Sequence, residues 1–236
     1  MPPRLDVEET ALDAVTHLVR DGMAGLAERD GAPELEARFG AVDEVSGFFV
    51  PGVSPRFFYD SVAACEAWEG WTDVTPWVAS TDFCYPVDDA FVRTSRTTVP
   101  GALPTVAHLA KRAVAKCQLQ LAHAGEPDDP RALRVSLAIE TPKRAEELPP
   151  SVTPTLVRDK VRKSFAWGAF RWDFTRVCEG ANRAEIEGGA KERFEVEVEC
   201  ADFAAYTATH DEEHVAQSLL MKLCDFIQIS AVGVRQ

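Results

Sequence analysis

Two short segments far apart in the chain alternate acidic with apolar residues, and together they could hold a metal ion. They are Glu34-Leu35-Glu36-Ala37-Arg38 and Glu195-Val196-Glu197-Val198-Glu199. Successive side chains of a β-strand point to opposite faces, so the acidic residues of each segment share one face. Two acidic faces come together only when positive charge holds them. Because these segments contain carboxylates and no histidine, they favour a hard divalent cation, Mg²⁺ or Mn²⁺.

Four further segments alternate in the same way but carry other charges. Their polar members are Lys116, Gln118 and Gln120; Arg134, Ser136, Ala138 and Glu140; Arg158, Lys160 and Arg162; and Arg171, Asp173 and Thr175. One such strand alone usually indicates a face exposed to solvent. Here the charges are sorted, because two strands are mainly acidic and one is wholly basic. This sorting predicts a polar lumen in which basic residues bind phosphate and a carboxylate activates water, as in metal-assisted hydrolysis of a phosphoanhydride.

The elements that must position these residues form one α+β domain over residues 1–236. Helical spacing predicts an opening helix at about 7–29 and a closing helix at about 211–226, and Ser54-Pro55 is typical of a helix start. The barrel is expected over about 33–201. Its further strands are predicted at 77–85, 89–98, 105–121, 132–140, 156–165, 169–178 and 192–201. This pattern predicts a closed antiparallel eight-stranded β-barrel with a polar lumen and with helices packed on the outside.

Composition narrows the class of function. The chain has 236 residues, 46% of them hydrophobic, and a formal net charge of −13. This acidity argues against general nucleic-acid binding and favours recognition of an end group by a local basic cluster. No apolar run approaches the roughly 20 residues of a membrane span. The six cysteines are irregularly spaced, which is typical of reduced thiols in the nucleus or cytoplasm.

In this order, the segments resemble the metal-dependent RNA 5′-triphosphatases of mRNA capping, which are triphosphate tunnel metalloenzymes of fungi, protozoa and large DNA viruses. The resemblance covers roughly Glu34 to Cys200. It depends on the two glutamate strands, on Arg158-x-Lys160-x-Arg162, on Arg171-x-Asp173-x-Thr175, and on Arg134 six residues before Glu140. It implies removal of the γ-phosphate from the 5′-triphosphate end of nascent mRNA, a divalent metal cofactor, a separate guanylyltransferase as partner, and a nuclear or cytoplasmic location.

The same resemblance implies a role for each matching residue. The metal ligands would be Glu34, Glu36 and Glu199. Catalytic roles would fall to Glu140, which positions the attacking water, and to Glu197, Lys160, Arg162 and Arg93, with Arg96 as the alternative to Arg93. The phosphate ligands would be Arg93, Lys116, Arg134, Arg158, Lys160, Arg162 and Arg171. Supporting residues would be Arg38, Asp173, Thr175 and Glu195.

Other functions fit the residues less well. A hydrolase of nucleoside triphosphates, tripolyphosphate or thiamine triphosphate with the same fold stays an alternative, as does a non-catalytic polyphosphate-binding module. His210-Asp211-Glu212-Glu213-His214 matches an inverted zincin motif, but no acidic residue follows Asp225 to complete a zinc site. The segment from Cys178 to Arg183 is one residue too short for a cysteine phosphatase loop.

Overall fold

The computed structural model describes residues 9–24, 30–87, 90–99, 101–121, 130–147 and 153–232. Its helices are α1 (Glu9–Ala24), α2 (Pro55–Ala67), α3 (Arg183–Glu187), α4 (Phe203–Thr207) and α5 (Glu212–Val232), with a 3₁₀ turn at Ala145–Glu147. Its strands are β1 (Ala32–Val42), β2 (Phe49–Pro51), β3 (Asp73–Val74), β4 (Val78–Val87), β5 (Ala90–Thr98), β6 (Thr105–Gln120), β7 (Ala132–Lys143), β8 (Leu156–Trp167), β9 (Phe170–Gly180) and β10 (Arg193–Cys200).

Eight antiparallel strands close into a barrel, as the sequence predicted. Their order around the barrel is β10-β9-β8-β4-β5-β6-β7-β1, and the pairing of β1 with β10 closes the circle. Two short strands lie outside this path, because β2 extends from β1 and β3 pairs with β8. Closure leaves no unpaired edge on the main barrel strands, so the polar side chains of one face are enclosed.

The apolar face of the barrel points outward and is covered by helices. The main core joins residues of β1, β7, β8, β9 and β10 to residues of α1, α2, α4 and α5. Four aromatic rings meet there, since Phe174 contacts Phe58, Phe165 and Phe226 at centroid distances of 5.8, 5.7 and 5.9 Å. The barrel is therefore inverted relative to an ordinary one, with its hydrophobic core outside the strands.

The start of α2 shows how local sequence sets an element that covers the barrel. Ser54 is the N-cap, and its hydroxyl accepts a hydrogen bond from the backbone NH of Phe57 at 3.1 Å. Pro55 occupies the first turn, where a missing NH costs nothing. This arrangement confirms the helix start predicted at Ser54-Pro55.

The structure differs from the sequence prediction in several element bounds. α5 runs to Val232, six residues beyond the predicted end. The short elements β2, β3, α3 and α4 were not predicted, because two to five residues carry too little periodicity. Residues 7, 8 and 25–29 of the predicted opening helix, and residue 89 of a predicted strand, lie outside the described residues. None of the helices in the described part of the chain is long and apolar enough to cross a membrane.

Replacing Phe174 by alanine tests the external core. Phe174 is fully buried, and its truncation leaves a cavity among three rings, so the free energy of unfolding should fall by about 3–5 kcal/mol. Urea denaturation followed by circular dichroism measures this change. Phe48→Ala is the matched control, because Phe48 is 73% exposed. Equal losses for both variants would contradict a core outside the barrel.

Candidate active site

Cross-strand pairing brings the predicted site residues to the inner face of the barrel. Glu36 lies opposite Glu199, and Arg38 lies opposite Glu197. Residues paired across strands share a face, and the same rule applies around the barrel. The predicted site residues that face the lumen are Glu34, Glu36, Arg38, Arg93, Lys116, Arg134, Glu140, Arg158, Lys160, Arg162, Arg171, Asp173, Thr175, Glu195, Glu197 and Glu199.

A chain of ion pairs links four neighbouring strands, β1, β10, β9 and β8, on the inner face of the barrel. Arg38 lies 2.8 Å from Glu197, and Glu197 lies 3.0 Å from Arg162. Arg162 also contacts Asp173 at 2.7 Å and donates to the hydroxyl of Thr175 at 2.9 Å. Burial alone would raise the pKa of Glu197, but Arg38 and Arg162 outweigh burial and hold that pKa well below its usual value. Glu197 is therefore ionised and positions two arginines.

The acidic end of the lumen contains Glu34, Glu36 and Glu199, the predicted metal ligands. Within the described residues, no three His, Cys, Asp or Glu side chains converge closely enough to hold a metal ion. The carboxylates are drawn to cations instead. Lys111 pairs with Glu34 and lies 3.4 Å from Glu36, and Arg171 lies 2.5 Å from Glu199. These ion pairs must rearrange before the three carboxylates can share one cation.

These cations offset the acidic charge only in part. Burial raises the pKa of Glu199 to about 8, because Arg171 compensates incompletely and Glu34 adds repulsion. Burial and the charge of Glu36 also raise the pKa of Glu34, although Lys111 opposes them. A site that carries excess negative charge and offers only oxygen donors suits a hard divalent cation. The donor set is therefore compatible with Mg²⁺ or Mn²⁺.

Lys160, Arg162 and Arg93 form what we call the basic wall of the lumen. Lys160 pairs with Asp82, a site residue that sequence reasoning missed. Its ammonium lies 2.5 Å from the carboxylate of Asp82, and Ser95 donates its hydroxyl to the same carboxylate at 2.7 Å. Burial would raise the pKa of Asp82, but Lys160 outweighs burial and lowers it. Burial lowers the pKa of Lys160 by more than Asp82 raises it. Asp82 is the only acidic residue of the predicted strand 77–85, and this isolated charge was the sequence signal that could have identified it as a site residue.

The choice between Arg93 and Arg96 follows from the face that each occupies. Arg93 is on the inner face, 3.8 Å from Glu140. Arg96 is on the outer face, with its guanidinium 5.2 Å from the ring centre of Phe83. Of these two arginines, Arg93 alone can reach the lumen.

Lys111 is a second site residue that sequence reasoning missed. It lies within 3.7 Å of Glu140 and pairs with Glu34 and Glu36. Burial would lower the pKa of Lys111, but Glu36 and Glu34 outweigh burial and raise it. The pairing of β6 with β7 shifts register between Ala113 and Ala115. This bulge puts odd-numbered Lys111 and even-numbered Lys116 on the same face, which simple alternation does not predict.

Arg158, predicted as a phosphate ligand, is engaged by carboxylates. It lies 2.8 Å from Glu195 and 3.2 Å from Glu179. Arg193 binds the same two carboxylates, each at 2.7 Å. Two arginines and two glutamates thus compensate one another at this end of the lumen.

Lys116 and Arg134 lie near the other end of the lumen, where β1 finishes. Within the described residues, neither has a carboxylate within ion-pair distance. The guanidinium of Arg134 stacks 4.8 Å from the ring centre of Phe49. Burial and the positive charge of Arg38 lower the pKa of Arg134. Positive charge therefore prevails at this end.

A comparison with family models decides the class of this site. The family described as mRNA capping enzyme, beta chain, matches residues 79–229. The chain belongs to this family. The family's members are RNA triphosphatases, and this member hydrolyses the 5′-triphosphate of RNA in mRNA capping. The matched range covers β4 to α5 and includes the basic wall and the second glutamate strand.

Solved structures share the fold of this mRNA triphosphatase. The Pct1 RNA triphosphatase of S. pombe aligns with a TM-score of 0.66 at 18% identity, covering 98% of this chain and 94% of that chain. The Mimivirus capping enzyme triphosphatase aligns with a TM-score of 0.57 at 14% identity, covering 94% of this chain and 98% of that chain. A comparison with curated protein sequences finds no match.

The raised pKa of Glu199 predicts how stability varies with pH in the metal-free triphosphatase. In the folded state the carboxyl group of Glu199 keeps its proton up to pH about 8, whereas in the unfolded chain it releases that proton near pH 4.5. The folded state thus binds more protons in that window, so the contribution of Glu199 to the free energy of unfolding falls as pH rises through it. Glu199→Gln removes the effect. In EDTA, the Tm of Glu199→Gln minus the Tm of the wild-type protein should therefore become more positive as the pH rises from about 5 to about 8.5.

Thermal melts of both proteins across this range measure the difference. Glu44→Gln, on the exposed turn after β1, serves as the control and should show a constant offset. A constant offset for Glu199→Gln as well would contradict a raised pKa.

Proposed function

We propose that this triphosphatase removes the γ-phosphate by metal-assisted attack of water, leaving a 5′-diphosphate end on the RNA. The observation that carries the proposal is the sorting of charge within one enclosed lumen. A basic wall of Lys160, Arg162 and Arg93 lies across from the carboxylates Glu36 and Glu199. A triphosphate bridged to a cation needs both kinds of surface at once.

Glu34, Glu36 and Glu199 are the residues we expect to hold the metal. They are near the same end of the lumen, and Glu36 lies directly opposite Glu199. When bound, a divalent cation would supply Lewis-acid stabilisation of charge on phosphate oxygens. Lys111 would then shift from Glu34 and Glu36 toward Glu140, 3.7 Å away, or toward the substrate.

The basic wall binds and orients the γ-phosphate in this proposal. Lys160 is held by Asp82 at 2.5 Å, and Arg162 is held by Glu197 at 3.0 Å. Supported in this way, both cations are preorganised toward the lumen and need not reorganise as charge develops on the phosphoryl oxygens. Arg93 of β5 adds a third cation, close enough that its positive charge helps to lower the pKa of Lys160.

Glu140 is the residue we expect to orient the attacking water. Its carboxylate lies 3.8 Å from Arg93 and 3.7 Å from Lys111. Both distances exceed those of direct hydrogen bonds, so the carboxylate retains capacity to accept a hydrogen bond from water. This position between the phosphate-binding Arg93 and the acidic end suits a general base.

The biological setting follows from the product. A diphosphate end is the substrate that a separate guanylyltransferase would use, and we propose a nuclear location, with the cytoplasm as the alternative. The S. pombe Pct1 RNA triphosphatase has been solved in complex with the Spt5 CTD, with a TM-score of 0.62 at 19% identity to this chain. We extend the proposal to a docking partner of the same kind for this chain.

Replacing Lys160 tests the basic wall. Lys160→Met should lower kcat/KM for triphosphate-ended RNA by about 100-fold, as expected for removing one charge-stabilising donor. Release of γ-phosphate from labelled RNA, ATP and tripolyphosphate under one metal condition measures the effect and also ranks the alternative substrates. Lys163→Met is the matched control on the same strand, because Lys163 points outward and pairs with Glu66 at 2.5 Å. Similar losses for both variants would contradict a lumenal site.

Replacing Glu36 tests the metal site without depending on activity. A cation that binds only the folded state raises Tm by mass action. Mn²⁺ should raise the Tm of the wild-type protein, and Glu36→Gln should lose most of that increase. Glu66→Gln, which alters a carboxylate on the outer face, should retain it. An unchanged Mn²⁺ effect in Glu36→Gln would exclude Glu36 as a ligand.

A further inference from the structure

The two ends of the lumen carry opposite charge. One end holds Glu34, Glu199 and Glu140. The other end, which we call the basic mouth, is formed by Lys116, Arg134 and Phe49. Lys116 is exposed, and among the described residues neither it nor Arg134 has a carboxylate partner. A long polyanion is drawn toward uncompensated positive charge and away from carboxylates.

Phe49 lies over the lumen side of this mouth. Gly40 is on the inner face of β1, because Glu36 and Arg38 precede it at alternate positions. A Cβ on Gly40 would lie 2.3 Å from the backbone carbonyl oxygen of Val50 and 2.7 Å from the ring of Phe49, so the glycine makes space for both the β2 backbone and the ring. The guanidinium of Arg134 stacks on this ring at 4.8 Å. Phe49 is half-buried, which leaves part of the ring accessible.

Hydrogen bonds define the turn of the hairpin that carries Phe49. The carboxylate of Asp43 accepts hydrogen bonds from the backbone NH and the hydroxyl of Ser46, both at 2.7 Å. The backbone NH of Asp43 donates to the carbonyl of Phe48 at 2.9 Å, and Gly47 turns the chain with φ of 70°. Arg193 packs against the following segment, since a Cβ on Gly52 would lie 3.1 Å from its side chain. The ring is therefore positioned before any ligand binds.

We propose that RNA enters through the basic mouth and that Phe49, backed by Arg134, stacks on the base of its 5′-terminal nucleotide. This inference rests on the proposed function, because it assigns the nucleoside that follows the triphosphate. An aromatic ring with an arginine on one face is a platform that every base can use. Lys116 neutralises the phosphodiester chain as it leaves the mouth. The triphosphate then extends past Arg38 to the basic wall.

Kinetics on substrates with and without a base test this inference. Phe49→Leu keeps apolar volume but removes the stacking face. The ratio of kcat/KM for triphosphate-ended RNA to kcat/KM for tripolyphosphate should fall about tenfold, the size of one stacking contact. ATP carries the first nucleoside of an RNA that begins with adenosine, so its kcat/KM should fall by the same factor as that of such an RNA. Phe49→Trp, which restores a stacking face, should retain the wild-type ratio.

Val50→Ala is the matched control, since Val50 is the next residue and is 51% exposed. It should leave the ratio unchanged. An unchanged ratio in Phe49→Leu, or equal losses on all three substrates, would overturn the inference, the latter by showing a structural role. If the wild-type protein releases phosphate from none of the three substrates, the proposed function fails instead. These two failures are therefore distinguishable.

Discussion

The pairing of Glu197 with Arg38 and Arg162 is the interaction on which the lumen depends. A carboxylate buried in a barrel is costly unless cations surround it, and each cation needs the carboxylate for the same reason. Glu197 receives both arginines within 3.0 Å. Removing one member leaves uncompensated buried charge, at a cost of about 3–5 kcal/mol. The charges of the lumen are thus stable only as a set in which opposite charges are neighbours.

The inverted barrel follows from the same constraint. Because the inner face is charged, the apolar faces of the strands must be covered from outside. α1, α2 and α5 supply this cover, and Phe58, Phe174 and Phe226 join helices to strands. The main core takes no member from β4 or β5 among the described residues. On the outer face next to these strands, Asp159 of β8 accepts a hydrogen bond from Thr81 at 2.7 Å, which explains the charged residue on that face.

Alternation in the sequence predicted the lumen because a strand side chain has only two directions. It predicted the faces of Glu36, Glu197 and Lys160 without any knowledge of tertiary structure. It failed for Lys111, because the bulge at Ala113–Ala115 reverses the face within one strand. Phe49 lies on a strand of three residues, too short to show a period. The divergence of Glu34 and Glu199 toward separate cations depends on distances between strands, which no local pattern contains.

The central claim is that opposite charges share one enclosed lumen so that a metal-bound triphosphate can occupy it. A crystal structure with Mn²⁺ and a non-hydrolysable triphosphate, using the anomalous signal of manganese, tests this most directly. The account predicts a manganese peak between Glu36 and Glu199, with phosphate density against Lys160 and Arg162. A manganese peak on the outer surface, or an ordered triphosphate bound outside the barrel, would contradict it.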